Sequence, residues 1–203
     1  MEAIPKASPK RATRNIPASL IYEVMDGKPV YRKGYKSVLD GTQKPEDITG
    51  SSTLQAEIVA YLLRRLMFFY DEQQYTIHTN EAGLHIGKGD NLAGDILVYE
   101  NSVMTPEHIN KKYSSVPPLL AFEIDIEADL EEMTELGYVS RKIEKLLAFG
   151  VQKVFCISTE AQLVIVAITG GEWRTISRKN DLDIVPGLVV NIGGYLKERG
   201  VQI

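Results

Sequence analysis

Apolar residues recur at helical spacing in two stretches of the chain. In the first, Leu54, Ile58, Leu62 and Leu66, joined by Val59, Leu63 and Met67, form one stripe, with Arg64 and Arg65 on the other side. Ser52 followed three places on by Gln55 fits a capping box, so this helix is expected to begin near Ser52. In the second, from about Glu135 to Phe149, Leu136, Val139, Ile143, Leu146 and Leu147 share a face, and Gly150 is placed to end the helix.

The remaining apolar runs are short. Leu20 to Met25 and Pro29 to Lys33 flank Asp26-Gly27, a two-residue hairpin signal. Residues 34–50 read as a polar connection with one helical turn. Strands are expected at Gln74 to His78 and Leu84 to Gly87, split by Asn80-Glu81-Ala82-Gly83, and at Asp95 to Tyr99, entered through Ala93-Gly94. A long connection from Glu100 to Pro118 carries His108, Lys111, Lys112 and Tyr113; a segment of that length is functional or mobile. Its lysines suit either a phosphate contact or a solvated turn. Further strands are expected at Leu119 to Ile126, Lys153 to Ile157, Leu163 to Ile168 and Trp173 to Ser177, with Trp173 packing on the sheet. Leu188 to Leu196 closes the domain as a short strand or helix. Phe122-Glu123-Ile124, the second helix and Val154-Phe155-Cys156 form a parallel crossover of the right-handed kind. The order predicts an α/β fold, a mixed sheet flanked by helices with a β-hairpin at its N-terminal end.

Composition narrows the class. The chain has 203 residues, 44% hydrophobic and 25% charged, which suits one globular domain over 18–203 after a polar tail, 1–17, holding Lys6, Lys10, Arg11 and Arg14. That tail is a solvated segment or a basic arm for phosphates. A net charge of -4 argues against a basic nucleic-acid coat protein, though an enzyme can hold phosphate through a local groove and metal ions. The single cysteine, Cys156, excludes an internal disulfide and a cysteine zinc cage, and its apolar neighbours make it core filler. The three histidines, His78, His85 and His108, are not spaced as paired ligands on a helix. No run reaches the roughly 20 apolar residues of a membrane helix, and the N-terminus lacks the apolar stretch of a secretory signal, so a cytoplasmic location without membrane attachment is expected.

The chemistry concentrates on acids inside apolar strands. In a strand, Glu123 and Asp125 share one face while Phe122, Ile124 and Ile126 share the other. Burying a carboxylate is costly unless a cation, a metal or a basic side chain compensates. Asp95 opens another strand ahead of Ile96 and Val98 in the same manner. If the two strands are neighbours, three carboxylates converge, and an all-oxygen set suits Mg2+ or Mn2+. Lys142 borders the apolar stripe of the second helix, so its stem can lie along the core and direct the ammonium to the strands. Arg141 and Lys145 sit further toward solvent. Rival readings stand beside these: Asp95 as a cap for local amides, Asp125 as a partner for Lys142, and Lys142 as a solvated helix lysine.

The ordered set Asp95, Glu123-Ile124-Asp125 and Lys142, followed by Phe149-Gly150-Val151 and an apolar strand, resembles the Uma-two family of endonucleases, within the PD-(D/E)xK, restriction-endonuclease-like superfamily. The likeness runs from about Thr53 to Thr159. It implies a restriction-endonuclease-like fold and Mg2+-dependent (or Mn2+-dependent) hydrolysis of DNA phosphodiester bonds. Asp95 and Glu123 would then be metal ligands, and Lys142 would act on the attacking water from a helix. Glu57 on the first helix is a further candidate carboxylate, against the reading of a solvated surface residue. Gly94 stands where the family often has proline, and Asp125 where the superfamily motif has lysine. The second departure gives the alternative of a decayed nuclease-like fold that binds nucleic acid or protein without cutting. A third reading is a structural or regulatory dimer whose acids hold a cation; a homodimer is also compatible with the first.

Overall fold

The computed structural model describes residues 16–126, 128–130 and 134–201. The basic stretch of the N-terminal tail, within residues 1–15, lies outside them. A mixed sheet is the centre of the fold, with strands β1 (Ile21–Met25), β2 (Lys28–Tyr31), β3 (Tyr75–Gly87), β4 (Asp90–Glu100), β5 (Leu120–Ile124), β6 (Lys153–Ser158), β7 (Leu163–Ile168) and β8 (Arg174–Ser177). The order across it is β2-β1-β4-β5-β6-β7-β8, with β3 on the remaining edge of β4. β9 (Leu182–Val185) and β10 (Leu188–Val190) make a separate hairpin.

The expected hairpin is present: Asp26 and Gly27 both take the left-handed conformation, φ 54° and 73°, which a two-residue turn needs if its twist is to match the strands. The connection after it holds α1 (Tyr35–Leu39) and a turn of 3-10 helix at Pro45–Ile48. Helices α2 (Thr53–Phe69) and α3 (Glu135–Phe149) cover opposite faces of the sheet, and α4 (Ile192–Glu198) closes the chain. α2 lays Ile58, Leu62 and Leu66 against Ile96, Val98, Phe122, Ile124 and Phe155. The β9-β10 hairpin and α4 extend that layer. α3 lays Tyr138, Val139, Ile143 and Leu146 against Leu97, Ala121, Val154 and Ala167. Ser52 caps α2 by accepting the Gln55 N–H at 3.1 Å. Thr134 does the same for α3, and Gly150 ends it with φ 118°. β5 and β6 pair in parallel around α3, the crossover the sequence predicts.

Three expectations are corrected. The two strands placed before and after Asn80 are one strand, because Asn80 and Glu81, φ 68° and 51°, form a bulge rather than a turn. Two β3 residues there oppose one in β4, so the register steps from Thr79↔Ile96 to Ala82↔Gly94 with Asp95 opposite the bulge. The strand β9 precedes the predicted C-terminal strand and was hidden by Asp181 and Asp183, which break its apolar run. Trp173, expected to open the strand, lies ahead of β8 and is 39% exposed. Among the described residues no helix is long and apolar enough to cross a membrane.

The α2 stripe should dominate stability. Leu62→Ala is expected to cost about 2–5 kcal/mol, because a closed core cannot collapse around the missing atoms. Leu136→Ala, at a position 66% exposed on α3, is expected to change stability by no more than about 0.5 kcal/mol. Chemical denaturation of both variants checks the contrast.

Candidate metal centre

β4 changes partners along one edge. It bridges β1 at Asn91 and β5 from Ile96 to Val98, so the residues between sit at a fork in the sheet. Main-chain groups at a fork lose their ladder partners, and acidic side chains take them up here. The Ala93 N–H donates to Glu23 Oε1 at 2.8 Å, and the Ile124 N–H donates to Asp95 Oδ2 at 2.6 Å. The antiparallel register Ile96↔Phe122 continues one step to set Asp95 beside Glu123.

Lys142 enters the fork from α3. Its Nζ lies 2.7 Å from Glu23 Oε1 and 2.8 Å from Glu123 Oε1, and the residue is only 1% exposed. Two phenols complete the cluster: Tyr22 Oη donates to Glu123 Oε1 at 2.8 Å, and Tyr138 Oη donates to Glu23 Oε2. The Tyr22 ring also presents its face to the ammonium, 5.8 Å from the ring centre.

The charges in this pocket do not balance. Glu23, Glu123 and Asp95 face one ammonium, so full ionisation leaves a surplus of two negative charges in a desolvated place. Burial raises the Asp95 carboxyl from its ordinary 3.8 to about 6, against the Ile124 N–H and Lys142, which lower it. Burial likewise raises Glu123, with Asp95 and Glu23 adding to the rise and Lys142 opposing it. The phenols of Tyr22 and Tyr138 are held well above their ordinary value by burial. Lys142 stays protonated, since Glu123 and Glu23 outweigh the desolvation that would discharge it.

The donor chemistry fits a hard divalent cation. Asp95 Oδ2 accepts the Ile124 N–H, and the Gln55 side chain also bonds to this carboxyl and lowers its pKa, while Glu123 Oε1 is held by Lys142 and Tyr22; among the described residues this leaves Glu123 Oε2 without a partner. Gln55, 6% exposed on α2, donates Nε2 to the Ile124 carbonyl at 2.7 Å, while its buried Oε1 has no partner among the described residues. Two carboxylates, an amide oxygen and water are the kind of set Mg2+ accepts.

The expected convergence of three carboxylates is not found. Among the described residues no three His, Cys, Asp or Glu side chains are grouped as metal ligands would be. Asp125 takes a left-handed backbone, φ 59°, which ends the strand alternation. Its two oxygens accept the Thr159 N–H and hydroxyl, both at 2.7 Å, so it fastens the end of β6 and is not the partner of Lys142. Glu57 points to α4, where it accepts the Tyr195 hydroxyl and lies 3.2 Å from Arg199. Lys145 is less solvated than expected, since it pairs with Asp26 and Asp90 at 2.7 and 2.8 Å. Cys156 is core filler as expected, 8% exposed, its thiol pushed up to about 12 by burial.

Sequence reasoning missed Glu23, Tyr22, Tyr138 and Gln55. Glu23 carried a signal: it is an acid between Tyr22 and Val24 in an apolar strand, the pattern that singled out Glu123. Gln55 was assigned to the capping box, and its side chain instead crosses to β5.

No family model matches the chain, and no curated protein matches it. Its fold is shared with a crystal structure from Anabaena variabilis ATCC 29413 described as a "putative nuclease belonging to DUF820". The two superimpose with a TM-score of 0.61 over 86% of this chain and 89% of that one, at 14% sequence identity. The mixed sheet flanked by helices is therefore a nuclease-like fold.

Two measurements probe the charge cluster. Lys142→Met leaves Glu23 and Glu123 buried without their cation and is expected to cost about 3–5 kcal/mol in thermal or chemical unfolding. The raised Asp95 carboxyl gives a pH signature in metal-free protein. A carboxyl whose folded value lies above its unfolded one supports the fold below the unfolded value. That support is lost as pH rises from 3.8 through about 6. The melting temperature is expected to fall over that interval, and Asp95→Asn should flatten the slope.

Proposed function

We propose that the protein is a metal-dependent nuclease that hydrolyses DNA phosphodiester bonds, with Asp95 and Glu123 as the carboxylates for Mg2+ or Mn2+. One observation carries this reading: three carboxyls, Glu23, Asp95 and Glu123, are gathered around the single ammonium of Lys142, with a buried Gln55 amide oxygen that has no partner among the described residues, in a fold shared with a protein described as a "putative nuclease". A structural ion pair would be expected to balance its own charges. A divalent cation held by Asp95 and Glu123 would offset the carboxylates that Lys142 alone does not balance. The structural neighbour's family, also called Uma2, is the one the residue pattern resembles.

A divalent ion held there would polarise a scissile phosphate and lower the pKa of a bound water. Asp95 is fixed by the Ile124 N–H and the Gln55 side chain, and Glu123 by Lys142 and Tyr22, so Glu123 presents its second oxygen in a set orientation. Gln55 adds a neutral oxygen from α2 and ties that helix to β5 through the Ile124 carbonyl. Lys142 is enclosed by Glu23 and Glu123, and it works here by holding Glu123 in place. A cleft of about 390 Å3 between α3 and β6–β7, lined by Glu123, Ile126, Val139, Cys156 and Ile165, brings Glu123 to the surface.

Supercoiled plasmid with Mg2+ or Mn2+ tests the assignment. The wild-type chain should nick it, and Glu123→Ala or Asp95→Ala should each lower the rate by roughly 100-fold or more, the scale of losing one preorganised charge interaction. Asp125→Ala should cut within a few-fold of wild type, because that side chain serves Thr159. Retarded DNA mobility without cutting under either metal would favour the non-cutting alternative and sink the hydrolase.

A further inference from the structure

Among the described residues, no strand pairs with the outer edge of β3 over Tyr75 to Thr79. Leu119 donates to the Val98 carbonyl, so the main chain of Val98 faces β5, and that of its β3 partner Ile77 faces away from the sheet. The same alternation turns Thr79 and the Tyr75 carbonyl outward. Natural edges are usually blunted by lysine, proline or an inward charge. Tyr75-Thr76-Ile77-His78-Thr79 has none of these. The edge is closed only further along, where Ser114 bonds to Gly83 and His85, and Tyr113 lies on Gly83 so closely that a Cβ there would meet its ring at 2.6 Å.

Beside this open stretch lies an apolar groove lined by Met67, Tyr70, Tyr75, Ile77, Met104 and Ile109. Met67 and Ile109 are 61% and 66% exposed, and Phe68 next to them is 92% exposed. Charge is disposed in two blocks around it. Asp71 and Glu72 precede β3, while Lys111 and Lys112 precede the Tyr113-Ser114 segment that runs beside Gly83 and Leu84, and all four are exposed.

We infer that this edge is the two-fold interface of a homodimer, with β3 pairing antiparallel to β3 of a second copy about Ile77. The register satisfies the outward groups: each Ile77 exchanges both main-chain bonds with its mate, and each Thr79 N–H meets a Tyr75 carbonyl. Asp71 and Glu72 lie in the turn that leads into β3, where the Asp71 carbonyl accepts the Tyr75 N–H, so pairing Tyr75 with Thr79 of the second copy carries that turn toward the Asn80-Glu81 bulge. That is the end of the edge where Lys111 and Lys112 lie, so acid meets base twice under the symmetry. The same operation brings the exposed ends of the two α2 helices onto one face, where Met67 and Phe68 are covered. A lone peptide strand would pair the edge and leave those side chains bare. A second copy brings a strand, an apolar helix end and the complementary charges together, as an isologous contact requires.

Sedimentation velocity of the full chain over about 1–100 µM tests the inference without reference to nuclease activity. Wild type should sediment as a dimer, and Met67→Glu, at a position already exposed, should shift it to monomer at least tenfold in dissociation constant. Lys111→Glu with Lys112→Glu should weaken the dimer to a similar degree, and adding Asp71→Lys with Glu72→Lys to that variant should restore it. A monomeric wild type over this range overturns the interface, as does a dimer indifferent to both sets of changes. Loss of plasmid cutting in a chain that still dimerises bears on the hydrolase alone.

Discussion

One ammonium holds three parts of the chain together. Lys142 of α3 reaches Glu23 of the N-terminal hairpin and Glu123 of the central strand, partners 119 and 19 positions away in sequence, with almost no solvent contact. Removing such a group from water costs several kcal/mol, and good geometry to two carboxylates offsets it without a clear net gain. An apolar trio of similar volume would be expected to hold these elements at least as well. Stability is therefore a poor explanation for the cluster, whereas orientation is a good one: with Oε1 tied by Lys142 and Tyr22, Glu123 has a single direction left for its other oxygen.

The fork in the sheet separates what is structural from what is left over. Glu23 is accounted for by the Ala93 N–H, Lys142 and Tyr138. Asp95 is accounted for by Ile124, whose missing ladder acceptor it replaces, and by the Gln55 side chain. Glu123 has no main-chain donor among the described residues, and the burial that raises it is only partly relieved by Lys142. Among the described residues the remainder is the second oxygen of Glu123, the unpartnered amide oxygen of Gln55 and three carboxyls set against one ammonium. A reading in which the cluster merely welds the fork explains the first bonds and leaves that remainder standing.

Much of this was legible in the sequence, for local reasons. Helices α2 and α3 carry stripes long enough to fix their faces, and Ser52 and Gly150 mark the start of the first and the end of the second. Lys142 was readable because it interrupts an apolar stripe, and Glu123 because it interrupts an apolar strand. The Asp125 expectation failed because it assumed that alternation continues, and a single left-handed residue ends it. The bulge at Asn80-Glu81 was taken for a turn because both use residues that tolerate positive φ. Only the pairing of β3 with β4 tells them apart. Glu23 interrupts an apolar strand as Glu123 does, but its partners are not local: its role depends on β1 meeting β4 at the fork, a contact between segments some 70 residues apart.

β4 ties the two ends of the argument together. On one side it carries Asp95 into the charged fork, and on the other it pairs with β3 through a bulge placed opposite that same residue. Glu81 in the bulge adds to the negative field at Asp95, and Arg32 of the hairpin side holds it at 3.3 Å. The open stretch of β3, Tyr75 to Thr79, ends where the bulge begins. A strand paired along one edge frays more readily than one paired along both. Closing that edge would therefore stiffen the bulge, and with it the position of a carboxylate whose usefulness depends on where its oxygens point. Assembly and site geometry meet in the β3–β4 pair, so a change at the outer edge has a short route to Asp95 through the bulge opposite it.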